Sequence, residues 1–179
     1  LEEIARQAEV GIGTLYRRFP DRQALQHAVA LDVLGRVAHE AHLALAEEPD
    51  AFHALMRYMH RAIDLRVGAV MPVLAGELPQ DDGEMRRVRK ETTVLVQTMI
   101  DAAQANGTLR PDVTFGDISV LIIRLTRPLP PPLPRDLSNR LAHRHLDLLV
   151  EGLRADDDRP AVPLSGPALT LAALRALAP

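Results

Sequence analysis

The run IARQAEVGIGTLYRRFPDRQAL, from Ile4 to Leu25, holds two short helical patterns that meet at a tight break. Ile4, Ala5 and Ala8 fall on one helical face, and Leu15 and Phe19 on the next, with Val10 between them. This is the spacing of a helix-turn-helix. Ala5 is small enough for close approach, and Val10 and Leu15 are expected to fill the wedge between the helices. The second helix turns Thr14, Tyr16, Arg17 and Arg18 outward, a donor-rich face suited to phosphates and base edges. Gly11 and Gly13 open that helix but follow no strand, so they are not a dinucleotide fingerprint. They are read as letting the helix start close to DNA.

At these residues the chain resembles the tetracycline-repressor (TetR) family of bacterial regulators. The pattern IA-x-x-A-x-V is followed by G-T-L-Y-R-x-F-P, then by Asp21, Arg22 and Ala24-Leu25. The resemblance implies an all-α protein, with a helix-turn-helix head at residues 1–27 and a helical ligand-binding and dimerisation body at 28–179. By match to the family motif, Thr14, Tyr16, Arg17 and Arg22 contact phosphates, while Ile12, Gly13 and Arg18 face base edges. The implied partners are a double-stranded DNA operator, a second copy of the chain and a small-molecule effector of unknown identity. No cofactor, metal, membrane or enzymatic activity is expected, and the expected location is the cytoplasm. The chain opens with Leu1 inside what the family would have as its second helix, so an N-terminally truncated head is expected. Glu9 stands where the family usually carries Gly. That position often needs a left-handed backbone, which costs a non-glycine residue about 1 kcal/mol.

Composition bounds the rest. Apolar residues make up 47% of the 179, enough for a core, but aromatics are only 3%, so Leu, Val, Ile and Ala must build it. There is no cysteine for a disulfide or a zinc-thiolate site. No apolar run is long enough to span a bilayer. The net charge of −3 is not that of a protein that coats DNA indiscriminately. The head balances Arg6, Arg17, Arg18 and Arg22 against Glu2, Glu3, Glu9 and Asp21, but its positive charge is clustered between positions 17 and 22.

Helices are predicted at 1–8, 12–18, 22–47, 51–70, 84–106, 115–126, 138–155 and 170–177. Asp21 is the expected cap of the third, which is long enough to run from the head into the body. Asn106-Gly107 is a C-terminal stop signal. Pro72 and Pro79 break the chain, and Arg127 to Pro134 is a polyproline-like excursion, read as a stiff spacer rather than an SH3-type ligand. The family resemblance implies that 115–126 and 138–155 pair with their copies as a four-helix bundle. Ile118, Leu121, Ile122, Leu125, Leu141, His145, Leu148, Leu149 and Gly152 would form that dimer interface. The other reading is that both helices are interior to a monomer.

The body offers an apolar lining from Phe52, Met56, Met59, Met71, Leu95, Met99 and Leu121, with His60 as a polar group. Ordinary core accounts for the same methionines. His39 and His42 with Glu40 or Glu47 make at most half a metal site, and His143 and His145 point to different faces. No nucleophile elbow, phosphate loop or paired catalytic carboxylate appears, which argues against an enzyme. The expected function is a ligand-responsive repressor that binds a palindromic operator as a homodimer and is released by an apolar effector. The alternative is a helical ligand-binding or adaptor module whose head has lost DNA reading, suggested by Glu9 and the neutral head.

Overall fold

The computed structural model describes residues 1–68, 83–127, 133–155 and 162–170. Among these residues the chain is all-α, with one isolated backbone bridge, Leu109 to Arg154, and no strand. The helices are α1 (Glu2–Gln7), α2 (Ile12–Arg18), α3 (Arg22–Glu47), α4 (Ala51–Asp64), α5 (Gly83–Ala105), α6 (Phe115–Thr126) and α7 (Arg135–Leu153). The expectations for Met71, for the break at Pro72 and Pro79, for Pro128 to Pro132 and for a helix over 170–177 fall outside the described residues, save Thr170, which is not helical.

Local chemistry sets the helix starts. The Asp21 carboxylate accepts the Ala24 amide at 2.7 Å and the Asp50 carboxylate accepts the His53 amide at 3.0 Å, each satisfying a donor that the helix cannot. At α6 the Asp117 carboxylate reaches back to the Thr114 amide at 2.8 Å, one half of a capping box.

Three helices stop the same way, on a residue in the left-handed region: Glu9 (φ 54°), Arg66 (φ 53°) and Gly107 (φ 68°). Gly107 follows α5 as its Asn-Gly signal predicts; its amide returns to Gln104, and that of Thr108 to Ala103. Arg66 corrects the expected helix over 51–70. With Arg66 left-handed and its amide turned back to the Ile63 carbonyl at 2.9 Å, α4 ends at Asp64.

The body core lies between α3, α4 and α5, with α6 and α7 closing it against α4. α4 supplies Phe52, Leu55, Met59 and Ile63, α5 supplies Val96, Met99 and Ile100, and α7 supplies Leu146, all fully buried. Each such side chain contributes about 1.5–3 kcal/mol by leaving water. A smaller cluster joins Ala30, Leu34 and Ala38 of α3 to Met85 and Val88 of α5, nearer the head. Ile118 and Ile122 of α6 are 1% and 3% exposed and belong to the body core, which takes them out of the expected dimer surface.

Two glycines mark close approaches. A Cβ on Gly68 would lie 2.1 Å from the Thr126 hydroxyl and 2.4 Å from the Ile123 carbonyl, while the Gly68 amide donates to Thr126 at 2.8 Å. At Gly116 the carbonyl of Leu169 sits where a Cβ would be, and the Thr114 hydroxyl donates to that carbonyl at 2.9 Å. The segment 162–170 is thereby strapped over the start of α6, and Arg110 holds its other end through the Val162 carbonyl at 2.8 Å. Arg154, after α7, lies over the Phe52 ring at 4.4 Å and seals that end of the core.

Candidate nucleic-acid interface and effector body

α1 and α2 pack on each other through Ala5 and Leu15, 3% and 8% exposed. The turn between them closes on the end of α1: the Val10 amide donates to Ala5 at 3.0 Å and the Glu9 amide to Arg6 at 3.3 Å. This is the six-to-one and five-to-two pair of a Schellman stop, with Glu9 in the place that glycine favours. The left-handed backbone expected at Glu9 is present. Val10, expected in the wedge, is instead 42% exposed, and Ile4 is 46% exposed, so Ala5 and Leu15 carry the packing.

α2 shows solvent every side chain but Leu15. Ile12, Thr14, Tyr16, Arg17 and Arg18 are exposed, as is Arg22 at the start of α3. The Arg17 guanidinium donates to the Thr14 hydroxyl at 3.4 Å, which aligns the two side chains along one ridge. Glu3 ties up Arg6 on α1, and that pairing holds the Glu3 carboxyl below its ordinary range. Among the described residues no carboxylate pairs with Arg17, Arg18 or Arg22, so the positive cluster faces water.

Gly13 is informative because nothing in the chain requires it. An ideal Cβ there meets no atom within 4 Å, and its backbone is not left-handed. Glycine inside a helix costs about 1 kcal/mol relative to alanine.

The body residues sort differently. Phe52, Met56, Met59 and Met99 are packed in the core, and Leu95 and Leu121 lie half-buried at its edge. His60 faces α7 rather than an apolar lining: its Nδ1 lies 2.8 Å from Nδ1 of His143. No local signal in the sequence joins these two histidines, which stand 83 residues apart. A cavity of about 230 Å³ lies between α5 and α6, lined by Gln97, Ile100, Gln104, Val113, Phe115 and Thr170 among others. A shallower groove of about 390 Å³ runs along α3 and α5, between His42, Arg87, Lys90, Glu91, Val94 and Leu95. His42 bonds Glu91 across that groove at 2.8 Å. On α7, Leu148 is 67% exposed and Leu149 is 42% exposed, with His145 and Gly152 also open to water. Leu125 and Leu141 are half-buried.

Comparison with known proteins follows the same division. A sequence profile described as bacterial regulatory proteins of the tetR family matches residues 1–29. One described as the C-terminal domain of SbtR-like transcriptional regulators matches residues 50–155. The crystal structure of the TetR transcriptional regulator SCO0520 from Streptomyces coelicolor is similar at 30% identity, covering 86% of each chain with a TM-score of 0.60. A bacterial regulatory protein in the tetR family from Rhodococcus RHA1 shares the fold at 20% identity, covering 87% of this chain and 86% of its own, with a TM-score of 0.59. A protein of unknown function from Rhodococcus sp. RHA1 shares it at 19% identity, covering 87% and 84%, with a TM-score of 0.52. No curated protein matches the chain.

Proposed function

The chain belongs to the TetR family of bacterial transcriptional regulators, and from that premise we propose that it is a repressor, bound to a palindromic operator as a homodimer and released by a small apolar effector. Membership makes it a DNA-binding regulator rather than an enzyme. Among the described residues no helix is long and apolar enough to cross a membrane. We place its action in the cytoplasm, where its DNA lies.

The observation that carries the reading is α2. It exposes three uncompensated cations' worth of surface with Arg22, keeps one side chain for packing, and carries a glycine that its own fold does not use. In the proposed complex Thr14, Tyr16, Arg17 and Arg22 hold phosphates, while Ile12, Gly13 and Arg18 approach base edges. The exposed leucines of α7, Leu148 and Leu149, are the proposed centre of the dimer surface, flanked by His145, Gly152, Leu141, Leu121 and Leu125. The effector is proposed to enter the body between α4, α5 and α6 and to favour a separation of the heads that no longer fits the operator. To empty a largely occupied site it must prefer that state by about 5 kcal/mol.

DNA selection with the natural full-length protein at two salt concentrations tests this. The expected result is a palindromic site whose affinity falls steeply with salt. Folded protein that enriches no sequence would overturn it and leave a helical ligand-binding module.

A further inference from the structure

Four titratable side chains stand in a row where α4 meets α7. His143 Nε2 lies 2.8 Å from the Asp64 carboxylate, His143 Nδ1 lies 2.8 Å from His60 Nδ1, and His60 Nε2 lies 3.3 Å from the Asp147 carboxylate. The ring centroids are 5.1 Å apart and the planes are 13° from parallel. That separation equals the Nδ1–Nδ1 distance plus one ring radius on each side. The rings therefore lie edge to edge in nearly one plane, not face to face. This is the arrangement of an N–H···N hydrogen bond.

Proton counting constrains the row. Its three contacts need three protons, ionised carboxylates only accept, and two neutral imidazoles carry two N–H groups between them. With both rings neutral, one contact lacks its proton. His60 to Asp147 is the longest of the three and lies at the more exposed carboxylate, so it is the contact that loses least by lacking one. One added proton completes the row and puts a single positive charge between two carboxylates. A further proton places two N–H donors and two like charges head to head across the Nδ1–Nδ1 contact, and no hydrogen bond survives there.

We propose that Asp64, His143, His60 and Asp147 form a proton-counting latch between α4 and α7, whose Nδ1–Nδ1 bond is closed while the ring pair carries at most one charge and broken when both rings are charged, leaving only the two histidine–carboxylate pairs across the helices. The surrounding charges agree with that sign. Burial, then the charge of His143, hold the His60 imidazole below its ordinary value, against the opposing pull of Asp147 on α7 and Asp64 on its own helix. Burial pushes the Asp64 carboxyl up, but hydrogen bonds from Asn139 and His143, then the charges of His143 and Arg61, outweigh it and keep the group below its ordinary range. The Asp64 anion thus persists when His60 becomes charged. Arg61 also reaches Glu40 on α3 at 3.5 Å. Because His60 has a lower pKa folded than unfolded, folding favours its neutral form. Its contribution is full above the ordinary imidazole range and is lost as pH falls from there through the folded value.

Imidazole nitrogen NMR on the full chain reads the row directly. The expected spectrum at neutral pH has a proton on Nδ1 of one ring and none on Nδ1 of the other, with two separated titration steps for the pair. Bare Nδ1 atoms on both rings, or two rings titrating independently, would overturn the proposal. Thermal melts supply a second reading. His60→Asn offers an amide in place of Nδ1 and cannot become charged. It is expected to shrink the fall in Tm between about pH 7.5 and about pH 5 by about 2–4 °C. An undiminished fall would count against the latch. Should His60→Asn not fold, the spectrum of the unaltered chain decides.

Discussion

Glu9 and Gly107 sit in the same left-handed turn at the ends of different helices, and only one of them is glycine. The side chain of Glu9 is exposed and does not explain its presence, so Glu9→Gly removes backbone strain without removing a packed group. The expected gain is up to about 1 kcal/mol, read as a higher urea midpoint at unchanged m-value. Gly107→Ala is expected to do the reverse by a similar amount, since its Cβ meets open space and only the backbone objects. Gly13 gives a different pair of signs. Gly13→Ala meets no atom of the chain, so it should raise thermal stability by about 1 kcal/mol and weaken operator binding at the same time. A drop in stability instead would show that the glycine serves the fold.

At the scale of the helix, most boundaries are legible in the sequence because their signals are local. Asp21 before α3 and Asn106-Gly107 after α5 act on backbone groups a few residues away, and the structure follows them. The end of α4 is not legible, because an arginine in the left-handed region carries no composition mark. Nor is the buried side of α6. Its apolar residues surround the helix, so periodicity alone leaves open whether Ile118 and Ile122 face inward or outward. The His60–His143 contact and the approaches at Gly68 and Gly116 join residues 50 or more positions apart, beyond any pattern in a window. These approaches carry a prediction. Gly68→Ala forces the chain after α4 away from α6 at Thr126 and is expected to cost about 1–3 kcal/mol in chemical denaturation. Gly116→Ala pushes first on Leu169, whose carbonyl would lie 1.8 Å from the new Cβ, so it should release the 162–170 strap to protease with a smaller loss of global stability.

For the whole molecule, two surfaces separate affinity from assembly. Arg17→Ala removes a cation whose one side-chain bond among the described residues is to Thr14 and which, on the proposed reading, holds a phosphate. All DNA sequences should then bind more weakly, and the salt slope should fall by about 1 for that single phosphate. Leu148→Glu alters an exposed face of α7 in the body, and is expected to yield folded monomer in sedimentation, with operator binding abolished for want of the partner. A variant that stays dimeric would move the interface elsewhere.

α3 runs unbroken for 26 residues from its Asp21 cap to Glu47, about 39 Å at 1.5 Å per residue. Its far end is fixed in the body core and its middle packs on α5 through Ala30, Leu34 and Ala38, while its near end adjoins α2. A rod of that length is a lever arm. Pivoting it by about 5° at the fixed end sweeps the tip through about 3 Å, and two such arms moving oppositely change their spread by about 7 Å, a fifth of the roughly 34 Å between successive major grooves. On the proposed reading, an effector therefore need not reshape the whole body to unseat the heads. A shift of about 2 Å where α3 passes α5 at Ala30 is amplified at the tip by leverage alone.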